Sequence, residues 1–363
     1  MFPLIRYVAA FFLSLLLSPA AFADDYVVPG ELCRGYFLVP VTLNEEREDS
    51  TLWFIYDTGA SRTIVDPDSI ARVSTTLVKP GQTARMSDAR SGALKFNVFR
   101  ARVQELDHII GAFGRPIDGI MGYDTFQKFL LTLDYPAGEM RVTTDMSLPS
   151  PDNREVFSTR GPDKRPWLDV YFDGRKRRML IDSGSGTSFG VNRLERYDTL
   201  TEPVPTRVAQ RLDRVEYISS ARFDGTARIG GYDLPQPILH GFPRTELIGE
   251  QVMRHFVWTF DVPNRRVRIT RPEDTPISFP SDYGLGANMT VSKDGLLVGD
   301  VFPGSAAMGA GLQSGDVITS INDQPVFDRG CSQVGAAPRP VKLVYRREGV
   351  EQSVTVMPEV MVE

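Results

Sequence analysis

The sequence predicts an all-β protein in which two similar lobes are followed by a small β-rich module. Three observations support this fold class. A run of acid, hydroxyl residue and glycine follows an apolar stretch at Asp57 and again at Asp182, 125 residues later. A 24-residue segment recurs at almost the same offset, and near Asp282 the arrangement of strands and turns changes.

Length and charge restrict the classes of function. The 363 residues exceed one small core and predict two or three domains. The chain is 42% hydrophobic and 24% charged, with a formal net charge of −5, so no basic footprint for nucleic acid is expected. The basic run 175–178 follows an Asp-Gly turn and is typical of a solvated hairpin. No His, Cys or acidic residues have metal-ligand spacing, so we expect neither a metal nor a cofactor.

The first 23 residues have the pattern of a signal peptide. Arg6 supplies a positive n-region, residues 8–17 are almost continuously apolar, and Ala21-Phe22-Ala23 is a small-x-small cleavage signal. The mature chain is therefore expected to begin near Asp24 and to be exported. The apolar run is too short for a comfortable membrane span, and no later segment is long and apolar enough for one.

Two cysteines, Cys33 and Cys331, lie near opposite ends of the mature chain. Export permits a disulfide between them, which would tie the first mature segment to the C-terminal region. The sequence does not give the distance between their Cα atoms, so a disulfide and two free thiols remain equal alternatives at this point.

Residues 120–143 and 247–270 align without a gap and define an internal repeat. Seven positions are identical, namely Gly122/Gly249, Phe129/Phe256, Thr132/Thr259, Asp134/Asp261, Pro136/Pro263, Arg141/Arg268 and Thr143/Thr270. The offset of 127 residues nearly equals that of the two acid runs, so the motif and the later segment recur together. This pattern indicates a duplicated domain, whose halves we place at 24–147 and 148–275.

Each half is predicted to follow the same order of elements. A strand ends at the acid, short alternating strands and turns follow, and a short helix then leads into a β-hairpin. The helix and hairpin are predicted at 124–129 and 131–143 in the first half, and at 250–256 and 257–270 in the second. The connector between the halves is predicted to carry one strand near 155–158.

Each half also pairs its acid run with a hydrophobic-hydrophobic-Gly run about 65 residues later. The pairs are Asp57-Thr58-Gly59 with Ile120-Met121-Gly122, and Asp182-Ser183-Gly184 with Leu247-Ile248-Gly249. This combination resembles a pepsin/retropepsin-type aspartic peptidase with two retropepsin-like halves fused in one chain. The resemblance implies a bilobal acid-protease-like β-barrel pseudo-dimer that is complete as a monomer. It also implies an exported endopeptidase acting on peptides or unfolded proteins.

The residue types fit this chemistry independently. Two neighbouring carboxylates, here Asp57 and Asp182, cannot both ionise cheaply, so they share one proton and can activate a water between them. The hydroxyls of Thr58 and Ser183 can brace the two loops. The glycines of the motifs allow close approach of backbone, Gly59 and Gly184 at the carboxylates and Gly122 and Gly249 beneath the loops.

Two alternative functions remain open, and two hairpins are candidates for flaps. The same scaffold could bind peptides without cleaving them. Residues 186–190 also match G-x-S-x-G, the serine-hydrolase elbow, although the chain has only three histidines to partner Ser188. Hairpins near 87–95, with Ser91-Gly92 at the tip, and near 211–220 are candidates for flaps that close over substrate.

The last module, 280–360, resembles a PDZ domain of the kind attached to bacterial exported proteases. The residues that carry the resemblance are Pro-Gly-Ser-Ala at 303–306, Ala-Gly-Leu-x-x-Gly-Asp at 310–316 and Ile-Asn at 321–322. The resemblance implies that Leu285-Gly286-Ala287 binds the carboxylate of a protein C terminus, with strand addition beyond it. It favours the periplasm. The Gly- and Pro-containing stretch 325–341 predicts a shortened or absent groove helix.

Overall fold

The computed structural model describes residues 24–43, 50–74, 78–106, 113, 117–144, 146–152, 154–210, 215–242, 244–272, 275–328, 331 and 337–363. The predicted signal peptide lies outside these residues. The protein is all-β, with 48% strand and 8% helix, and its large sheets curl into half-barrels. No described helix has the length and apolar character that a membrane crossing needs.

The first half of the chain contributes twelve of the described strands and one α-helix. The strands are β1 (Asp25–Val28), β2 (Glu31–Cys33), β3 (Tyr36–Thr42), β4 (Thr51–Asp57), β5 (Ile64–Val65), β6 (Thr83–Met86), β7 (Arg90–Ser91), β8 (Leu94–Lys95), β9 (Phe99–Val103), β10 (Gly119–Gly122), β11 (Leu130–Asp134) and β12 (Glu139–Thr143). The helix is α1 (Pro67–Val73), and a 3₁₀ turn spans Tyr123–Phe126.

The second half repeats this order. Its strands are β13 (Val156–Ser158), β14 (Trp167–Phe172), β15 (Arg175–Ile181), β16 (Phe189–Val191), β17 (Val204–Gln210), β18 (Val215–Arg222), β19 (Thr226–Ile229), β20 (Tyr232–Pro235), β21 (Ile238–Gly241), β22 (Leu247–Ile248), β23 (Val257–Asp261) and β24 (Arg266–Thr270). A 3₁₀ turn spans Leu194–Arg196, and α2 spans Glu250–Met253.

Each half forms a large sheet, and the two sheets have equivalent strand orders. The first runs β6-β9-β5-β10-β4-β3-β7-β8, with β2 paired to β3. The second runs β17-β18-β21-β16-β22-β15-β14-β19-β20. Each of the seven pairings along the first path has a counterpart of the same direction in the second, including parallel β10–β4 and β22–β15. The sequence repeat is therefore also a structural repeat.

A six-stranded sheet, β1-β12-β11-β23-β24-β13, joins the two halves. At its centre β11 pairs with β23 so that Thr132 lies opposite Thr259, its counterpart in the repeat, with the hydroxyls 3.0 Å apart. Tyr123 of the first half packs edge-on against Phe260 of the second at 5.9 Å. Because one hydrophobic core crosses this sheet, the halves are packed as a single body.

Local sequence explains the elements that frame the site. Asp173 and Gly174 connect β14 to β15 with φ of 45° and 80°, as a two-residue hairpin requires. Helix α1 begins after Asp66, whose carboxylate accepts from the amides of Asp68 and Ser69 at 2.9 and 3.3 Å. The two short repeat helices, predicted at 124–129 and 250–256, span Tyr123–Phe126 as a 3₁₀ turn and Glu250–Met253, so each ends three residues earlier than predicted.

The first predicted flap is wrong. In the equivalence of the two sheets, β7–β8, which covers most of 87–95, corresponds to β19–β20 and not to the long hairpin β17–β18. Ser91 is 1% exposed and donates to the carbonyl of Pro40 at 2.7 Å, so this hairpin is packed on its own lobe. The long hairpin of the second half is β17–β18, and the 211–214 tip lies outside the described residues.

The C-terminal module contains β25 (Asp282–Gly284), β26 (Ala287–Ser292), β27 (Gly295–Val301), β28 (Val317–Ile321), β29 (Gln324–Pro325), β30 (Val341–Arg347), β31 (Val350–Val356), β32 (Glu359–Val362) and helix α3 (Ala306–Gly309). Its main sheet is β26-β27-β28-β30-β31, with β26 at an edge, and β25 pairs with β32. Seven residues of 325–341, where the groove helix was predicted to be shortened or absent, lie outside the described residues.

Cys33 and Cys331 form a disulfide with a Cα separation of 5.2 Å. The bond connects β2 of the first half to the C-terminal module across 298 residues of sequence. It resolves the two alternatives that the sequence left open in favour of the bond.

Candidate active site

The two acids meet between the lobes. Asp57 is the last residue of β4, and Asp182 directly follows β15. Their carboxyl groups hydrogen-bond one another. The Oδ1 atom of Asp57 also accepts from the amides of Gly59 at 2.7 Å and Ala60 at 3.0 Å, whereas Oδ1 of Asp182 accepts from the amide of Gly184 at 3.1 Å. The duplicated motif therefore builds one pair of acids.

Both carboxyls have raised pKa values. Burial is the first cause in each case. The pKa of Asp182 is raised further by the negative charge of Asp57, whereas the hydrogen bond from Asp182 and two backbone amides hold the pKa of Asp57 down. The pair thus keeps a proton at pH values above those at which an ordinary carboxylic acid has lost it. Asp57 accepts two amide hydrogen bonds and Asp182 one, which favours the ionised form of Asp57 over that of Asp182 in the singly protonated pair.

The loop glycines contact the opposite acid. A Cβ added to Gly59 would lie 2.5 Å from Cγ of Asp182, and one added to Gly184 would lie 2.4 Å from Cγ of Asp57. This reciprocal contact leaves no room for a side chain at either position. Gly59 and Gly184 therefore permit the close approach of the two acids.

A reciprocal hydroxyl network connects the two loops. The Thr58 hydroxyl donates to the carbonyl of Ile181 at 2.7 Å and accepts from the amide of Ser183 at 2.9 Å. In return the Ser183 hydroxyl donates to the carbonyl of Tyr56 and accepts from the amide of Thr58, both at 3.0 Å. Thr58 and Ser183 are both 0% exposed. The brace predicted for these hydroxyls is present in the structure.

Gly122 and Gly249 lie directly beneath the loops. The amide of Gly122 donates to the hydroxyl of Thr63 at 3.1 Å, and the amide of Gly249 donates to the carbonyl of Ser188 at 2.7 Å. An added Cβ would lie 2.4 Å from the backbone of Arg62 in the first case and 2.3 Å from that of Thr187 in the second. Both positions need glycine for close backbone packing.

A cavity of about 470 Å³ opens beside Asp57. Aromatic and aliphatic side chains form one wall, and α2 with its following turn supplies polar groups. The lining residues are Arg34, Tyr36, Ile55, Asp57, Phe113, Ile120, Gly184, Gly186, Glu250, Gln251, Arg254, Ser278, Phe279, Pro280, Ser281 and Asp282. A volume in this range is typical of sites that enclose a peptide-sized or drug-sized ligand.

Sequence reasoning missed Arg165. Its guanidinium donates to the carbonyl of Gly59 at 2.8 Å and to Oδ2 of Asp163 at 2.6 and 2.9 Å. Its charge lowers the pKa of both acids, against the larger effect of burial. Ile55 and Leu180 are equivalent in the repeat, because each lies two residues before its acid. Their strand partners are Leu38 and Trp167, so Arg165 occupies the position equivalent to Tyr36. Because arginine and tyrosine share no side-chain chemistry, comparison of the two repeats could not identify Arg165.

Ser188, the candidate of the serine-hydrolase alternative, is not available as a nucleophile. It is 0% exposed, and its hydroxyl donates to the carbonyl of Ile238. His240 bonds instead to the hydroxyl of Ser220 at 2.7 Å. The pKa of His255 is lowered to about 4, first by burial and then by Arg254 and Arg271. The third histidine, at 108, lies outside the described residues.

Leu285 and Gly286 connect β25 to the edge strand β26, whose first residue is Ala287. The carbonyl of Leu285 accepts from the amide of Ala307 at 2.7 Å, and that of Gly286 accepts from the amide of Phe302 at 2.8 Å. Gly286 has φ of +75°, and a Cβ there would lie 2.1 Å from Cβ of Ser305. The loop predicted to receive a carboxylate is therefore fixed between the start of α3 and an open sheet edge.

Among the described residues, no three or more His, Cys, Asp and Glu side chains are grouped so that they could hold a metal ion. The carboxyls of the acid pair are bonded to each other and to backbone amides. Two carboxyl groups in contact, both with raised pKa values, can transfer protons to and from a bound ligand.

Comparisons with known proteins bear on the C-terminal module. The family model described as "PDZ domain" matches residues 294–347, so the chain carries a PDZ domain. A solved structure of the HtrA3 PDZ domain bound to a phage-derived ligand (FGRWV) is similar at 23% identity. That match covers 22% of this chain and 88% of the other, with a TM-score of 0.19. No curated protein matches the chain.

Proposed function

We propose that this protein is an aspartic endopeptidase built as an acid-protease-like pseudo-dimer, with Asp57 and Asp182 as its catalytic dyad. The reciprocal contact of the two acid loops is the observation that carries the proposal. Each acid accepts a hydrogen bond from an amide of its own loop and contacts the glycine of the other loop. Buried hydroxyl groups also connect the two loops. Two half-buried carboxyl groups held against each other without a catalytic role would be costly to keep.

The proposed reaction uses the asymmetry of the pair. Ionised Asp57 accepts a proton from a water molecule, which attacks the carbonyl carbon of a peptide bond. Asp182 donates its proton to the carbonyl oxygen and stabilises the charge that develops there. The proton that Asp57 took from water is then given to the amine nitrogen as the C–N bond breaks, and Asp182 takes a proton back from a hydroxyl of the intermediate, which restores the pair. The reaction needs no cofactor, and because one chain supplies both acids, a monomer suffices.

The remaining features fit an exported peptidase. The signal-peptide pattern supports export, with the periplasm as the compartment, and the disulfide is compatible with an oxidising environment. In its own structure, the similar HtrA3 PDZ domain is bound to a peptide. By analogy, the PDZ domain of this chain would bind a protein C terminus at Leu285–Ala287 and add the peptide as a strand to β26.

Cleavage of an unfolded protein between pH 3 and 8 tests the proposal. We expect the wild type to produce internal fragments, identified by mass spectrometry, and the double variant D57N/D182N to produce none. Peptide binding by both proteins without fragments from either would favour the non-catalytic scaffold. Fragments from the double variant would assign the activity to another group or to a contaminant.

Arg165→Gln is expected to shift the pH profile of cleavage upward by up to about one unit. Its positive charge lowers the pKa of both acids, so its removal raises both and moves the singly protonated pair to higher pH. Initial rates from pH 3 to 8 measure the shift. R165K should retain most of the original profile, and R178Q, which changes an exposed arginine of the same half, should leave it unchanged.

A further inference from the structure

The cavity beside Asp57 is partly enclosed by the chain that leads into the PDZ domain. Residues Ser278–Asp282 line it together with Asp57 and Gly184, and Asp282 is also the first residue of β25. The segment therefore runs from the second lobe past the acid pair and directly into the PDZ fold. The segment that connects the second lobe to the PDZ domain thus forms one side of the candidate substrate site.

Several contacts hold this segment against the second lobe. Phe279 is 7% exposed, and its ring meets that of His255 edge-on at 5.7 Å. The carbonyl of Phe279 accepts from Arg222 at 2.9 Å. Arg222, at the end of β18, also donates to the carbonyl of Gln236 at 2.8 Å and to the backbone oxygen of Glu363. A single guanidinium thus joins the long hairpin, the segment and the last strand region of the PDZ domain.

The disulfide provides a second attachment on the other wall of the cavity. Cys33 is 0% exposed and precedes Arg34, a lining residue whose guanidinium donates to the carbonyl of Cys331 at 3.1 Å. Cys331 packs into the cluster that contains Ile55 and Phe113, which also line the cavity. The PDZ domain is therefore bound covalently beside the site, and its strand β32 also contacts β17 and β18 of the second lobe.

We propose that Ser278–Asp282 and the PDZ domain form a lid over one end of the cleft, held closed by the Cys33–Cys331 disulfide and by Arg222. The inference rests on the proposed peptidase function for its effect on cleavage. An extended chain advances about 3.3 Å per residue, so eight residues span about 26 Å and need both ends of the cleft open. The closed cavity accepts a short peptide, whereas a polypeptide must displace the lid.

Hydrogen exchange tests the lid without relying on catalysis. The amides of Phe279 and Ser281 are followed by mass spectrometry in the wild type, in R222Q, in C331S and in native protein reduced with TCEP. We expect exchange at least tenfold faster when either attachment is removed. R228Q is the matched control, because Arg228 lies in the same sheet and pairs with Asp233 on the exposed β19–β20 hairpin. Unchanged exchange in R222Q and in reduced protein would overturn the lid.

Kinetics then test its consequence. Release of the lid should raise kcat/KM for an unfolded protein at least threefold, and should change kcat/KM for a tetrapeptide less than twofold. Loss of cleavage of both substrates would contradict the lid and make the segment a fixed part of the substrate site. Faster exchange without cleavage by any form would support the lid and count against the peptidase function, so the two proposals fail separately.

Discussion

Asp182→Asn is expected to lower kcat for peptide cleavage by about 10³-fold while raising stability at neutral pH. The amide can still accept from Gly184 and bond Asp57, but it cannot deliver the proton that the carbonyl oxygen needs. Losses of about 10²–10⁴ are typical when a general acid or base is removed. Steady-state rates on one synthetic peptide, with KM measured separately, determine the loss.

The stability change follows from the sign of the pKa shift. The pKa of Asp182 is raised in the folded protein, so the folded state binds a proton that the unfolded state releases above about pH 4. Wild-type stability therefore falls as pH rises from about 4 through the raised pKa. D182N lacks this loss, and its free energy of unfolding should exceed that of the wild type by at least about 1 kcal/mol at pH 7, and by little at pH 3.

A matched control separates this effect from a general change of charge. Asp233 is exposed, and the pKa of its carboxyl is lowered by Arg228. D233N should therefore leave cleavage unchanged and should slightly reduce stability at pH 7, the opposite sign to D182N. Denaturant titrations at pH 3 and 7 measure both. Cleavage within tenfold of wild type in D182N would remove this residue from the proposed mechanism.

Features that depend on short stretches of sequence were predictable. In each acid loop the carboxylate accepts from amides two or three residues further along the chain, so the motif itself specifies the loop geometry. The Asp-Gly turn after β14 and the hairpins at 131–143 and 257–270 likewise depend on local turn chemistry. The hydroxyl brace was predictable because the duplicated motif places a hydroxyl at the same position of both loops.

Features that depend on long-range pairing were not predictable. Residues 83–103 and 204–235 both show short strands and turns, and only the strand partners distinguish β7–β8 from a cleft hairpin. Arg165 and Tyr36 occupy equivalent positions without any shared chemistry, so the repeat could not reveal them. The disulfide and the segment 278–282 acquire their meaning only from where the PDZ domain packs.

Thr58→Val is expected to reduce the free energy of unfolding of the two lobes by about 2–5 kcal/mol, because it leaves two buried polar groups without partners. Valine has nearly the shape of threonine, but it can neither accept from the amide of Ser183 nor donate to the carbonyl of Ile181. Both groups belong to residues that are 0% exposed, at the junction of the halves. The cost of each orphaned group is about 1–3 kcal/mol.

The reciprocal brace predicts a pattern across variants, which urea titration of the lobes can measure. Ser183→Ala should cost a similar amount, since it strands the amide of Thr58 and the carbonyl of Tyr56. T58S keeps the hydroxyl and should recover most of the loss. T132V is the control, because it removes one hydroxyl contact at a half-buried position where β11 and β23 join the two halves, and it should cost less than about 1 kcal/mol. Equal losses in T58V and T132V would mean that the brace contributes nothing beyond an ordinary hydroxyl pair.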